Sequence, residues 1–316
     1  MIAINDTSLI EVRLDNKPVF FLGCVALTVA ILTMAWGTVV DEFVGLKKPF
    51  TFTTTESNIA TLAMELRIPS PDMAIVGSSL SRRLDSGFFE HMNVMNLSLS
   101  GGSVMTGLEI LNRSATLPPI ILVEVNILDR PVDEELMEMG IIASQSRPWA
   151  ILGGATKPIR YLLNKPFFSY ISHQIESGRW NTKRISLRTQ LPASYDIRSK
   201  VSNGLASWDS RDRWDIANTN IMRMNELIDK LESKGARVYL VYMPYVSEYD
   251  AHAFAQRNRE LASGNKRFEC ARCIDVRKLV DMEQLRWVDG AHLDERSALV
   301  VADALQRQLL PEQSLP

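Results

Sequence analysis

"MAIVGSSLSRRLD", residues 73–85, is the stretch on which the fold turns. Met73 to Val76 run without a polar break into Gly77, Ser78 and Ser79, and "PSPD" (69–72) bounds the run on its other side. So short an apolar run between turn residues is the pattern of a strand buried on both faces of a parallel sheet. Working outward, the same kind of segment recurs in "NVMNLSLS" (93–100), "IILVEVN" (120–126), "ARVYLVYMP" (236–244) and, more weakly, "CIDV" (273–276). Helical spacing fills the gaps. Val104, Leu108 and Leu111 share a face, a patterned helix covers about 215–234, and Ala298, Val301, Ala302, Leu305 and Leu309 form one apolar face near the end. Strands alternating with helices imply βαβ units, right-handed crossovers and a mostly parallel sheet covered on both faces, an α/β fold. Ligands in such sheets gather outside the carboxyl ends of the strands. That rule singles out Ser79, Asn126 and the segment after the fifth strand.

At 316 residues and 46% apolar, the chain can bury a sizeable core. A net charge of −2 and an isoelectric point near 6.1 exclude a general electrostatic case for nucleic acid, which needs clustered Lys and Arg. Between Lys17 and Asp41 there is no charged residue, and "PVFFLGCVALTVAILTMAWGTVV" is long enough to cross a hydrocarbon core of roughly 30 Å as a helix. Residues 18–40 are therefore expected to be a transmembrane anchor, after a tail over 1–17. A buried core helix seldom runs this long without a charge, and a cleaved signal would have a shorter apolar region ending in small residues. Cys24 stands too early in the run to mark a lipoprotein. Arg13 and Lys17 before the span nearly balance Lys47 and Lys48 after it, so charge does not set its orientation. A Thr-rich linker follows over 41–56, with the globular part expected from 57 to 316. Within it, residues 130–214 break the alternation and read as an inserted, partly helical segment. It suits a membrane surface, a polymer or ordinary packing.

Three cysteines, Cys24, Cys270 and Cys273, make no disulfide scaffold. "CARC" leaves metal binding, redox chemistry or a small disulfide open, although no second pair exists to complete a zinc site.

A serine nucleophile needs a base, and the base needs an acid partner to fix its tautomer. There are four histidines: His91, His173, His252 and His292. His292 lies in "WVDGAHLDERSALVVADALQ", with Asp289 three residues earlier and the last helix just after. In such a loop the carboxylate of Asp289 can fold back onto Nδ1 and leave Nε2 for a serine. Asp-x-x-His alone is a weak signal. Its position just before the last helix, with Gly77-Ser78-Ser79 ending the first strand, sharpens it.

This arrangement resembles the SGNH/GDSL hydrolase superfamily, and the resemblance covers most of residues 70–310. Its first block ends a strand in Gly-x-Ser, which assigns the nucleophile to Ser79. Its second block matches "NLSLSGGS" and points to the backbone N–H of Gly101. Its third ends the next strand in Gly-x-Asn, matching Asn126, and its last is Asp-x-x-His, matching Asp289 and His292. Ser78 stands where the common form has Asp, and Glu124 where it has Gly. The resemblance implies a three-layer, flavodoxin-like sheet, a catalytic triad of Ser79, Asp289 and His292, and an oxyanion hole of Ser79, Gly101 and Asn126, with no metal or cofactor. An α/β-hydrolase elbow fits less well, because Ser81 occupies its second glycine position.

With an N-terminal span, the chain looks more like the polysaccharide-modifying branch, which includes alginate O-acetyltransferases and the teichoic-acid D-alanylation protein. What that implies is a single-pass protein of the bacterial inner membrane with its globular domain outside the cytoplasm. Its partners would be an exported polysaccharide and a membrane-embedded acyltransferase as acyl donor. An esterase that removes acyl groups, or a non-catalytic polymer-binding protein on a degenerate version of the fold, are the alternatives.

Overall fold

The computed structural model describes residues 27–28, 53–66, 68–145, 180–209, 213–263 and 272–310. The anchor expected over 18–40 falls almost wholly outside these residues, as do the tail and most of the linker. Among the described residues no helix is long and apolar enough to cross a membrane. Thr53–Pro316 is one compact unit, and its first helix, α1 (Thr54–Glu65), begins three residues earlier than the sequence suggested.

Five strands follow where apolar runs predict them: β1 (Met73–Val76), β2 (Val94–Asn96), β3 (Ile120–Glu124), β4 (Arg237–Tyr242) and β5 (Cys273–Asp275). All pair in parallel, in the order β2-β1-β3-β4-β5. This is the flavodoxin-like order, whose ligand crevice opens where the winding reverses, between β1 and β3. Every residue of β1 and β3 is buried, which explains their uninterrupted apolar sequence up to Val76 and Val123.

The crossovers carry helices α2 (Val104–Arg113), α5 (Trp214–Ser233) and α6 (Ala253–Ser263), of which α5 packs against both α2 and α6. Right-handed connections place these three on one face of the sheet. Helix α7 (Glu295–Leu309) packs instead against the short 3₁₀ turns at Ser86–Phe88 and Val276–Lys278. The described parts of the expected insertion contain helices α3 (Glu134–Gln145), residues 180–189 and α4 (Arg198–Asp209), joined in part by irregular chain over 190–197.

Caps explain where the site-bearing helices begin. Ser103 accepts a hydrogen bond from the N–H of Met105 at the start of α2, and Asp294 accepts one from the N–H of Ser297 at the start of α7. Past β2, the N–H groups of Leu97 and Leu99 donate to the carbonyls of Ile75 and Gly77, so the second strand's extension runs alongside the end of β1.

Asn96, fully buried at the end of β2, ties this rim together. Its amide donates to the carbonyls of Ser81 (2.9 Å) and Leu84 (2.6 Å), its oxygen accepts from the N–H of Ser98 (3.0 Å), and its own N–H donates to Glu65 (2.7 Å). Asn96→Ala strands the Leu84 carbonyl and the Ser98 N–H and removes one of the two donors to the Ser81 carbonyl, so it is expected to lower stability by about 2–5 kcal/mol. Urea denaturation of the full chain checks this, and an unchanged midpoint would show that water replaces the amide freely.

Candidate active site

Chain direction and sheet order bring residues 75–79 and 120–126 to the same rim. The first strand leaves the sheet through Gly77, which has Glu124 beside it on β3. A Cβ on Gly77 would lie 2.7 Å from Cβ and 2.6 Å from Oε2 of Glu124, so only glycine allows this approach. After Gly77 the chain turns through Ser78, Ser79 and Leu80 into a 3₁₀ turn at Ser81–Arg83. Ser79 is half-buried at the tip.

His292 and Asp289 approach from the other end of the sequence. Trp287 pairs antiparallel with Leu293, and the N–H of Val288 donates to the carbonyl of His292, closing a narrow loop. Gly290 turns it with φ +92°, a conformation that favours glycine. The same Gly290 gives its carbonyl to the N–H of Val246, which anchors the loop beyond β4. Lys200 on α4 donates from Nζ to the carbonyl of Val288 (2.9 Å), so the helical segment also steadies it.

Within that loop, Oδ1 of Asp289 accepts from the N–H groups of Ala291 (3.1 Å) and His292 (2.8 Å), while Oδ2 lies 2.7 Å from Nδ1 of His292. The other ring nitrogen, Nε2, lies 2.7 Å from Oγ of Ser79, which is 213 residues earlier in the chain. Asp289, His292 and Ser79 thus form a continuous line of hydrogen bonds, in the order that nucleophilic catalysis requires. With Nδ1–H held by the carboxylate, Nε2 is the nitrogen left to take a proton from Ser79. The side chains of His292 and Asp289 are 25% and 36% exposed, so the site is open to a substrate. Partial burial pushes the Asp289 carboxyl upward, but hydrogen bonds from the His292 ring and from the N–H groups of His292 and Ala291 outweigh it and bring it down to about 2.

Two of the three expected oxyanion donors remain available. The N–H groups of Ser79 and Gly101 have no hydrogen-bond partner among the described residues. Gly101 sits at φ +68° in the exposed turn after β2, where Asn58 of α1 exchanges two 2.9 Å hydrogen bonds with the backbone of Ser100. Asn126 is placed differently from these two. Its amide donates to the carbonyl of Met243 (2.9 Å), its oxygen accepts from the N–H of Met243 (2.7 Å), and it has no exposed surface. An oxyanion donor must touch the substrate, whereas Asn126 continues the β3–β4 pairing in place of a backbone peptide.

Two other departures from the expected pattern prove to be partners. Ser78 Oγ donates to Oε1 of Glu124 at 2.7 Å, and the Ser78 N–H donates to Oε2 at 2.9 Å. The sequence held both residues but no local signal that they meet. Asn96 and Glu65 were likewise missed. Glu65 is buried, which raises its carboxyl to about 7 against the lowering effects of the Asn96 N–H and Arg82. Of the other histidines, His252 pairs with Asp209 at an exposed position, and His173 lies outside the described residues. So does Cys270, while Cys273 is exposed at the start of β5. Among the described residues no cluster of His, Cys, Asp and Glu is suited to hold a metal ion.

A carboxyl lowered from 3.8 to about 2 stabilises the fold above its ordinary value, and that contribution is lost as pH falls from about 4 towards 2. The melting-temperature gap between the native chain and Asp289→Asn is therefore expected to be full above about pH 4 and to shrink towards zero near pH 2. Thermal melts across this range check it, and a gap independent of pH would contradict it. No protein-family model matches this chain and no curated protein is detectably similar to it in sequence, so the chemistry of the site rests on its geometry.

Proposed function

We propose that the chain is a membrane-anchored serine O-acyltransferase that acetylates an exported polysaccharide through an acyl-serine intermediate. The observation that carries the acyl-transfer chemistry is the aligned pair of 2.7 Å contacts, Ser79 Oγ to His292 Nε2 and His292 Nδ1 to Asp289 Oδ2. Ser79 Oγ attacks the carbonyl carbon of an acyl donor as its proton passes to Nε2 of His292. The negative charge that develops on the carbonyl oxygen is met by the N–H groups of Ser79 and Gly101, each such donor being worth about 3 kcal/mol. Collapse releases the donor's leaving group with the proton from His292 and leaves the acyl group on Ser79. In the second half His292 takes a proton from a sugar hydroxyl as its oxygen attacks the acyl-serine; collapse breaks the bond to Ser79 Oγ, His292 returns the proton to Oγ, and the sugar carries the acyl group away. Asp289 holds the imidazole tautomer and steadies its charge throughout.

The polysaccharide and the membrane donor come from the SGNH resemblance together with the uncharged segment 18–40. An anchor supplies proximity to a membrane-bound donor, and proximity contributes much of a rate. The exposure of His292 favours esterase as a second reading, since water that reaches the acyl-serine completes hydrolysis instead of transfer.

Triad members act as one device, so their losses do not add. Ser79→Ala and His292→Ala are each expected to cut turnover of p-nitrophenyl acetate by about 10³-fold or more, with the double variant scarcely worse. Asp289→Asn, which presents the wrong tautomer, should cost on the order of 10⁴ if serine-protease behaviour carries over. A Ser79→Ala chain that turns over normally would sink the enzyme reading.

Topology is tested separately. A phosphatase that is active only outside the cytoplasm, fused to the C-terminus, should be active. An inactive fusion alongside an active cytoplasmic reporter would reverse the orientation.

A further inference from the structure

We propose that Glu124 is the positioning residue of the nucleophile, an assignment that rests on the acyl-transfer function above. The residue is 2% exposed, and its carboxyl group accepts four hydrogen bonds, from the N–H and Oγ of Ser78 (2.9 and 2.7 Å) and from the N–H and Oγ of Ser81 (3.1 and 2.6 Å). The two serines flank Ser79. One side chain on β3 therefore grips the turn on both sides of the nucleophile and ties it to the neighbouring strand.

The pattern of backbone donors shows what this grip leaves over. The N–H groups of Ser78 and Ser81 go to Glu124, and that of Leu80 goes to Ser78 Oγ (3.2 Å). Ser79 alone in this turn keeps its N–H without a partner among the described residues, and its Oγ faces His292. The same contacts that satisfy its neighbours reserve the two groups of Ser79 that acyl transfer uses. Ser81 Oγ also lies 2.9 Å from Ser98 Oγ, which links the grip to the extension of β2. A carboxylate buried only for stability has no reason to divide its contacts evenly about the serine. It would be cheaper to fill the space with an apolar side chain, since buried charge is costly to desolvate.

Glu124 bonds to Ser78 and Ser81 and not to Ser79, Asp289 or His292, so its loss should misplace Ser79 without weakening substrate binding. A misplacement of about 1 Å can cost about 10²-fold in rate. The test compares the full chain with Glu124→Ala and Glu124→Gln at a temperature where each is folded. It measures the rate of covalent labelling by a fluorophosphonate, and kcat and KM for p-nitrophenyl acetate.

Glu124→Ala is expected to slow labelling and lower kcat by about 10²-fold, with KM changed by about twofold at most. Glu124→Gln keeps the length and an acceptor oxygen, and its serine partners can rotate, so it should recover part of the loss. A folded Glu124→Ala that labels and turns over like the native chain overturns this assignment alone. If Glu124→Ala does not fold, Glu124→Gln decides: lower kcat at unchanged KM supports the assignment, and full kcat overturns it. A native chain that does not label on Ser79 overturns the acyl-transfer function, and this assignment with it.

Discussion

The parallel pairing of β1 with β3, ending at Val76 opposite Val123, is the constraint on which the rest of the site depends. It places Gly77 against Glu124 at the rim where the winding of the sheet reverses. A shift of one residue would turn every side chain of β1 to the other face. Gly77 would no longer meet the glutamate, and Ser79 would leave the sheet in another direction. The buried faces of both strands hold the register, because slippage would exchange well-packed apolar side chains for poorly fitting ones.

Around this pairing the rim solves a problem common to strand ends. Backbone groups there lose their ladder partners, and a buried group left unpaired costs about 1–3 kcal/mol. Side chains supply what the ladder no longer does. Asn58 pairs with Ser100, Asn96 with Ser81 and Leu84, Asn126 with Met243, and Glu124 with Ser78 and Ser81. The rim is rigid without regular structure, as a preorganised site must be. The N–H groups of Ser79 and Gly101 are left without a partner among the described residues, and the proposed acyl transfer would use them to meet developing negative charge.

His292 is held by different means. Asp289 secures its loop through two backbone N–H groups and its imidazole through the ring, so one carboxylate sets both the loop's shape and the tautomer. The same bonds that keep this carboxyl ionised to about pH 2 keep Nε2 directed at the serine. In the proposed chemistry, transfer and hydrolysis would share these groups and differ in whether a sugar hydroxyl or water reaches the acyl-serine.

Local chemistry alone made legible the alternation of strands and helices, the presence of a last helix soon after His292 and the pairing of Asp289 with His292. Each depends on side-chain periodicity or on contacts a few residues apart, which local chemistry dictates. Ser79 and Asn126 could be assigned to strand ends for the same reason. Only the tertiary structure decided what those ends touch. Glu124 and Ser78 are 46 residues apart, and Asn126 and Met243 are 117 apart. Such meetings depend on strand order and register, which crossovers and packing fix and no local pattern encodes. Glu124 read as a defect in a motif because its donors come from another strand. The burial of Asn126 is likewise set from β4, a strand that enters the chain more than a hundred residues later.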